Sequence, residues 1–366
     1  MSKRKAPRVR KGQLDVSLQP EEFARRFRQG FFDPAFDGAQ PEIEKLTRAA
    51  WDGYEQYRKA PRTVRAGKGY ADPGYELSVD WVEAHERVRA AQREHAKRTG
   101  PTRLLLINGS PRNDQTCPGE MSKTHRLLTI ARETLDATRG IATEVLDLSR
   151  LTAEYGRAIY PCKACVATAM PLCHWPCSCY PNHALGQVRD WMNDIYPMWT
   201  AAHGIMIVTP VHWYQAPSVL KLMIDRLVCA DGGNPDPTTT SGKDPAKAKA
   251  LELRGWHYPR HLAGRVFSLV VHADVSGASN LRRILHDWLS DMHLKSAGAD
   301  AEIDRYVGYY EPYATSHDAL DRDKAIQAEV RNVAKAFAAA AILQRKQRAT
   351  RRAPRTAASA DEPRPK

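Results

Sequence analysis

Two short segments of the sequence carry residue types that hold phosphate groups. One runs from Asn108 to Arg112 directly behind an apolar stretch, and the other opens a helical pattern near Ser122. Hydroxyls, a guanidinium and the free N–H groups of a helix start all bind phosphate oxygens. An ordinary strand-to-helix loop with a capping serine is the alternative. The predicted cradle contains Ser110, Arg112, Ser122, Lys123 and Thr124.

Other phosphate sites have glycine spacings that this sequence lacks. No G-x-G-x-x-G follows an apolar run, and Ser241-Gly242-Lys243-Asp244 has neither the upstream glycine nor the hydroxyl residue of a P-loop. A single terminal phosphate therefore suits the first loop better than a pyrophosphate.

Two further loops follow apolar runs and carry aromatic or ionisable residues. The first could present backbone groups and rings to a planar ligand, although Trp213 and Tyr214 could equally be packing or subunit contacts. In the second, His272 and Asp274 could relay a proton or simply be solvated or cap the next helix. The candidates are Pro210, Val211, His212, Trp213 and Tyr214 in the first loop, and His272, Asp274 and Gly277 in the second.

A cysteine cluster forms a third candidate site. Its spacing is C-x2-C-x7-C-x3-C-x-C, whereas Cys117 and Cys229 stand apart and are interpreted as structural or incidental. Two thiolates in one tight turn can share a metal centre, which two later cysteines would complete. An iron–sulfur cluster, a zinc ion and unligated thiols all stay open. The candidate ligands are Cys162, Cys165, Cys173, Cys177 and Cys179.

The elements that must position these residues alternate between strand and helix patterns after residue 100. Strands are predicted at residues 103–108, 142–146, 204–208, 265–271 and 301–306, and helices at 122–138, 184–200, 216–229, 278–293 and 318–345. This alternation predicts a flavodoxin-like three-layer α/β fold with a five-stranded parallel sheet. In such a sheet, ligands bind outside the carboxyl ends of the strands, where the candidate loops lie.

The first hundred residues follow a different pattern. Residues 20–100 predict a helical extension without strands, with a third helix over 77–98 that ends at Gly100 and Pro101. The predicted organisation is therefore a basic disordered arm over 1–19, this extension over 20–100, the flavodoxin-like domain with its ligand-binding loops over 101–345 and a basic disordered tail over 346–366. Residues 231–263 and 308–313 could overhang the ligand or be surface loops.

The loop after the third predicted strand carries a family resemblance. Its run T-P-V-H-W-Y-Q-A-P-S, followed by a helix with L-K-x-M-I-D-R, resembles the second flavin loop of the NADPH-dependent FMN reductase family, and Gly109–Arg112 resembles its phosphate loop. The resemblance covers about 245 residues and implies FMN as cofactor. It also implies reduction by NAD(P)H, a homodimer or homotetramer, and hydride transfer to a quinone, a flavin or another small acceptor. The ten residues between Arg112 and Lys123 exceed the usual length of the family's phosphate loop.

The cysteine cluster supports a second functional hypothesis. The cysteines lie where related iron–sulfur flavoproteins carry their cluster ligands, although the spacing is less compact here. That likeness implies an electron carrier that passes single electrons between FMN and a partner such as ferredoxin.

Charge and hydropathy restrict the remaining functional classes. Residues 1–12 carry six Lys or Arg and no acid, and residues 345–366 carry eight against two acids, so the ends supply all but one unit of the net charge of +13. Nucleic-acid binding through such tails is the third and weakest hypothesis. No apolar stretch is long enough for a membrane span, and no signal-peptide pattern follows the first residues. We therefore expect a cytoplasmic protein with a small-molecule partner.

Overall fold

A computed structural model describes residues 18–116, 119, 121–312 and 315–350. Most of the predicted arm and most of the predicted tail lie outside these residues, as do Cys117 and Tyr313. The strands are β1 Thr63–Arg65, β2 Glu76–Ser78, β3 Thr102–Asn108, β4 Ile141–Asp147, β5 Gly204–Pro210, β6 Val266–Ala273, β7 Lys295–Ser296 and β8 Glu302–Tyr306. The helices are α1 Pro20–Arg28, α2 Gln40–Glu55, α3 Val79–Ala96, α4 Lys123–Asp136, α5 Arg150–Ala153, α6 Met192–Ala201, α7 Ser218–Arg226, α8 Val228–Gly232, α9 Pro245–Leu253, α10 Ala278–Asp291, α11 Ser316–Arg322 and α12 Lys324–Thr350.

The main sheet confirms the predicted fold class. Its strands pair in the order β4-β3-β5-β6, and every pair is parallel. Strands β7 and β8 pair one after the other along β6, so together they occupy the fifth position of the sheet. The order is that of a flavodoxin-like sheet, whose switch point lies between β3 and β5.

Helices cover both faces of the sheet and produce two cores. In β3, Leu104 and Leu106 pack into the core with α4 and α12, whereas Leu105 and Ile107 pack into the core with α6, α7 and α10. Successive side chains of a strand point to opposite faces, so a run of apolar residues is buried on both sides. All four side chains are almost completely buried.

Several predicted boundaries differ from the structure. The predicted helix 184–200 begins only at Met192, and a single 3₁₀ turn, His183–Leu185, precedes it. The predicted helix 216–229 is divided into α7 and α8, and the predicted last helix is divided at Asp323 into α11 and α12. Because α12 continues to Thr350, the first residues of the predicted tail are helical.

The prediction that the N-terminal extension lacks strands was wrong. Strands β1 and β2 pair antiparallel, and the chain between them is bonded to the segment 231–263. Helix α3 packs on α6, and its Val88 joins the core that contains α6, α7 and α10. The Trp81 indole N–H of α3 donates to the carbonyl of Pro176, in the segment before α6, at 2.9 Å. The extension is therefore packed against the sheet domain. None of the helices in the described ranges is long and apolar enough to cross a bilayer.

Candidate functional site

The loop after β3 is held in place by side chains at the ends of two strands. The Ser110 N–H donates to Asn108 Oδ1 at 3.1 Å, and the Arg112 N–H donates to Ser110 Oγ at 3.1 Å. Asn108 Nδ2 in turn donates to Asp147 Oδ1 at 2.7 Å, at the end of β4. A Cβ on Gly109 would lie 2.9 Å from the side chain of Thr209, so only glycine fits at this close approach to β5.

Helix α4 begins where this loop ends. Ser122 is its N-cap, and its Oγ accepts the N–H of His125 at 3.4 Å. The side chains of the next two residues point towards the loop after β6: Lys123 Nζ pairs with Asp274 and donates to the carbonyl of Val307 at 2.9 Å. The positive charge of Lys123 is therefore already matched by a carboxylate within the protein.

The neighbouring pair joins α4 to the end of β6. Thr124 Oγ1 lies 2.7 Å from His272 Nε2, and both side chains are buried. Burial, helped by the nearby Lys123 ammonium, lowers the pKa of His272 to about 3, so its imidazole is neutral at physiological pH. The buried Nδ1 of His272 has no hydrogen-bond partner among the described residues. A polar ligand in the adjacent cavity could supply one.

The loop after β5 contains a tight turn. The Val211 N–H donates to the carbonyl of His272, and His212 and Gln215 exchange two backbone hydrogen bonds of 2.9 Å. Trp213 and Tyr214 occupy the turn with φ of 48° and 66°, a left-handed conformation that few residues other than glycine adopt. Their side chains are 95% and 60% exposed, so burial does not account for this strained geometry.

One cavity of about 90 Å³ lies between these loops. It is smaller than the roughly 300–1,000 Å³ of sites that enclose a whole small molecule, so it can enclose only one end of a larger ligand. Met121, Ala273 and Ser316 also line it and were not predicted. Met121 and Ala273 each adjoin a predicted residue, and Ser316 is the first residue of α11. The predicted residues that line it are Ser110, Arg112, Ser122, Lys123, Thr124, Pro210, Val211, His212, His272 and Asp274.

Three predicted residues lie outside the lining of this cavity. Trp213 and Tyr214 project from the turn into solvent. Gly277 has φ +91°, and a Cβ there would lie 3.2 Å from Tyr214 Cδ1 and 3.3 Å from Val211 Cγ1. The loop after β6 therefore packs directly against the loop after β5. The sequence had no signal for Asp147, whose importance depends on the pairing of β4 with β3.

The cysteines do not form a preassembled metal centre. Among the described residues, no group of three or more Cys, His, Asp or Glu side chains could hold a metal ion. Cys165 Sγ lies 3.4 Å from Cys179 Sγ. Burial raises the pKa of Cys162, and burial with neighbouring thiols raises the pKa of Cys173. Within the predicted ligand set, Cys179 contacts both Cys165 and Cys177, and the residues do not fit a metal ion or cluster as they stand. Cys229 is buried, and its thiol contacts the carbonyl of Arg226 at 3.2 Å.

The sheet order and the cavity at its carboxyl edge define a flavodoxin-like α/β protein. The chain belongs to the NADPH-dependent FMN reductase family, whose sequence model matches residues 102–301.

Comparison with individual proteins gives one partial sequence match and solved structures of low sequence identity. An iron–sulfur flavoprotein of Methanosarcina thermophila is 31% identical over 126 residues, which cover 34% of this chain and 52% of that protein. The chain therefore spans about half the length of this curated relative. RosB bound to 8-demethyl-8-formylriboflavin-5′-phosphate has a TM-score of 0.43 at 13% identity, covering 67% of this chain and 80% of RosB. An apo NADH:FMN oxidoreductase has a TM-score of 0.38 at 13% identity, covering 65% and 89%.

Proposed function

We propose that this chain binds FMN at the carboxyl edge of its sheet and is an NAD(P)H-dependent flavin oxidoreductase. The observation that carries the proposal is the convergence of ten predicted residues, from three strand-to-helix connections, on one cavity. The match of residues 102–301 to the FMN reductase family supports the same cofactor. When bound, FMN supplies a ring that accepts a hydride from the nicotinamide and passes it to an acceptor.

The small cavity suits the phosphate end of the cofactor. Ser110 and Ser122 bring hydroxyls to it, and the Arg112 guanidinium brings positive charge. Lys123 and Arg112 both line the cavity, so we expect both to contribute positive charge to the phosphate site, although the ammonium of Lys123 also pairs with Asp274. Because the cavity holds only one end of the ligand, the flavin ring would extend towards the loop after β5.

The loop after β5 is suited to contact the flavin ring because the loop is rigid. Two backbone hydrogen bonds between His212 and Gln215 fix the turn, and Gly277 packs against it from the next loop. His272 is neutral, so its unpartnered Nδ1 can form one hydrogen bond to the cofactor without adding a charge. These residues position the cofactor and exclude water from one side; none is required as a nucleophile.

Exposed aromatic side chains at this edge suit a planar acceptor. Trp213 and Tyr310 are 95% and 93% exposed, and Tyr214 and Tyr309 are more than half exposed. Rings without intramolecular burial can stack on a quinone or a free flavin, and they are also frequent in subunit interfaces. We therefore propose a small aromatic acceptor, and a homodimer or homotetramer in which part of this surface is covered.

An anaerobic absorption spectrum tests the flavin proposal. The purified protein should show two flavin bands that bleach when NADPH or NADH is added. Arg112→Ala should weaken FMN binding by about tenfold or more, because a charge-assisted hydrogen bond to phosphate is lost. Arg132→Ala, at an exposed position of α4, is the matched control and should bind normally. A wild-type protein that neither contains nor takes up FMN contradicts the proposal.

The second function predicted from the sequence is electron transfer through a cluster held by the cysteines. The likeness to an iron–sulfur flavoprotein over 126 residues favours it. The described thiols do not fit a preassembled centre, so no step of the proposed reaction passes through one. Iron and acid-labile sulfide analysis distinguishes the two proposed functions. A stoichiometric cluster in the anaerobically purified protein would favour single-electron transfer over hydride transfer to a small acceptor.

A further inference from the structure

Two cysteines that the flavin site does not use lie in direct contact. Cys165 begins a 3₁₀ turn, Cys165–Ala167, and Cys179 follows 14 residues later in the chain. Their Sγ atoms are 3.4 Å apart, and neither forms a disulfide. Cys179 is buried, whereas Cys165 is half-buried and can be reached from solvent. The pair therefore has one accessible sulfur and one protected sulfur directly behind it.

A lysine from a distant segment approaches the accessible sulfur. Lys243 precedes α9 and places its Nζ 3.7 Å from Cys165 Sγ, while it donates to the carbonyl of Leu172 at 2.8 Å. An ammonium group at this distance favours the thiolate over the thiol.

Two other thiols of the cluster have a more protected environment. Cys173 and Cys177 are buried, and buried structural thiols are inert. Cys162 is half-buried like Cys165. Among the described cysteines, Cys165 combines partial exposure with a thiol contact and an adjacent cation.

We propose that Cys165 and Cys179 form a redox-active dithiol that reduces small anionic disulfides, with Cys165 as the attacking sulfur, Cys179 as the resolving sulfur and Lys243 as the residue that stabilises the thiolate. The proposal goes beyond the flavin reaction and does not depend on it. Lys163 and Lys243, which flank Cys165 in sequence and in space, favour a substrate that carries carboxylates.

The reaction balances without a metal. The Cys165 thiolate attacks one sulfur of the substrate disulfide, the substrate S–S bond breaks, and the first substrate thiolate leaves and takes up a proton. Cys179 then attacks Cys165 Sγ of the mixed disulfide, and the second substrate thiolate leaves with the Cys179 proton. Two protein thiols are oxidised to one disulfide, and one substrate disulfide is reduced to two thiols. An external dithiol returns the protein to its starting state.

Glutathione disulfide, which carries carboxylates, is the probe for the test. The full chain is reduced, desalted without oxygen and mixed with this probe, and a non-reduced digest is examined by mass spectrometry. One Cys165–Cys179 disulfide should form per chain, with two glutathione thiols released. Cys165→Ser should abolish the reaction, whereas Cys179→Ser should stop at a mixed disulfide on Cys165. Cys229→Ser, which removes a thiol outside the pair, should react normally.

Lys243 is tested by a matched set of variants. Lys243→Gln should slow the reaction by about tenfold, because the thiolate loses its neighbouring cation, and Lys243→Arg should restore most of the rate. Lys249→Gln, at an exposed position of α9, should not change it. Circular dichroism shows whether each variant is folded. The proposal is overturned if folded wild-type protein forms no Cys165–Cys179 disulfide, if Cys179→Ser traps no mixed disulfide, or if the cysteines hold iron. None of these results depends on FMN binding.

Discussion

The hydroxyl of Thr124 lies 2.7 Å from Nε2 of His272 and joins the start of helix α4 to the end of strand β6. Both side chains are buried, and the imidazole is held neutral beside the Lys123 ammonium. This contact and the Lys123–Asp274 pair connect the two loops that would enclose a phosphate. Residues that line the candidate site therefore also hold its two sides together.

Thr124→Val should destabilise the protein without changing its fold. Valine has nearly the same shape as threonine but leaves the buried His272 Nε2 without its partner, which costs about 1–3 kcal/mol of the free energy of unfolding. Urea unfolding measures the loss. Thr134→Val is the control on the same helix, because the Thr134 hydroxyl bonds only to the local carbonyl of Ile130. An equal loss in both variants would show that the contact with His272 contributes nothing.

The two partners of the Lys123–Asp274 pair should respond unequally to substitution. The Lys123 side chain is 8% exposed and that of Asp274 is 47% exposed. Asp274→Ala leaves a buried ammonium with less compensation, whereas Lys123→Met fills the space with an apolar chain and leaves a carboxylate that water can solvate. Thermal unfolding should show the larger loss, about 1–3 kcal/mol, for Asp274→Ala. The reverse order would contradict this asymmetry.

Stability should fall with acid below about pH 6.5. Burial lowers the pKa of several histidines: to about 2 for His95, about 3 for His272 and about 4 for His203 and His261. Their pKa in the folded state lies below the unfolded value of about 6.5, so the unfolded chain binds more protons between these limits. The contribution of the neutral forms is complete above pH 6.5 and is lost towards pH 4 and below.

Urea unfolding at pH 7.5, 6, 5 and 4.5 measures this dependence. Each neutral histidine adds up to about 1.4 kcal/mol per pH unit to the loss. His203→Gln removes one titrating group and should reduce the slope. A free energy of unfolding that is constant from pH 7 to pH 5 would contradict the assignment of neutral histidines.

A buried ion pair should contribute strongly to the stability of the core that α6, α7 and α10 form with the sheet. The side chains of Asp190 and Arg226 are fully buried and paired, and Arg226 also donates to the carbonyl of Tyr160 at 2.9 Å. Asp190→Ala leaves an unpaired buried guanidinium and should cost about 3–5 kcal/mol. Asp225→Ala breaks the exposed pair with Lys221 and should cost less than about 1 kcal/mol. Chemical denaturation compares the two, and similar losses would contradict the prediction.

Trp213→Gly should separate stability from activity. Glycine adopts the φ of 48° found at this position without strain, and a 95% exposed indole contributes little burial. The free energy of unfolding should therefore stay equal or rise by about 1 kcal/mol. The rate of quinone reduction should fall if the ring flanks the acceptor. Tyr155→Gly, at another exposed aromatic, should leave the quinone rate unchanged; an unchanged rate in Trp213→Gly would remove the indole from the site.

Much of the sheet domain followed from local sequence. Apolar runs such as Leu104–Ile107 are long enough to be strands and are buried on both faces, and each is followed by turn residues and a helical pattern. This sequence pattern, an apolar run followed by turn residues and a helical pattern, predicted the positions of the five strands. It also predicted that Ser110, Pro210 and His272 would meet, because the carboxyl ends of parallel strands lie at one edge.

Other features depended on contacts between distant parts of the chain. The three-residue strands β1 and β2 are too short for alternation to be recognised, and the loop between them is bonded to residues near Asp236. The late start of α6 follows Asp190, which is paired with Arg226 of α7, whereas the break before α12 coincides with a local cap in which Asp323 Oδ1 accepts the N–H of Ile326 at 3.0 Å.

The sequence by itself determined the strand-and-helix alternation, the family and the loops that carry the candidate site, because these depend on residues close together in the chain. Only the tertiary structure decided which partner each side chain meets. It pairs Lys123, a predicted phosphate ligand, with Asp274, and it places Cys165 beside both Cys179 and Lys243, which comes from another segment. The spacing of residues limits which side chains can reach one another, but packing decides which of them do.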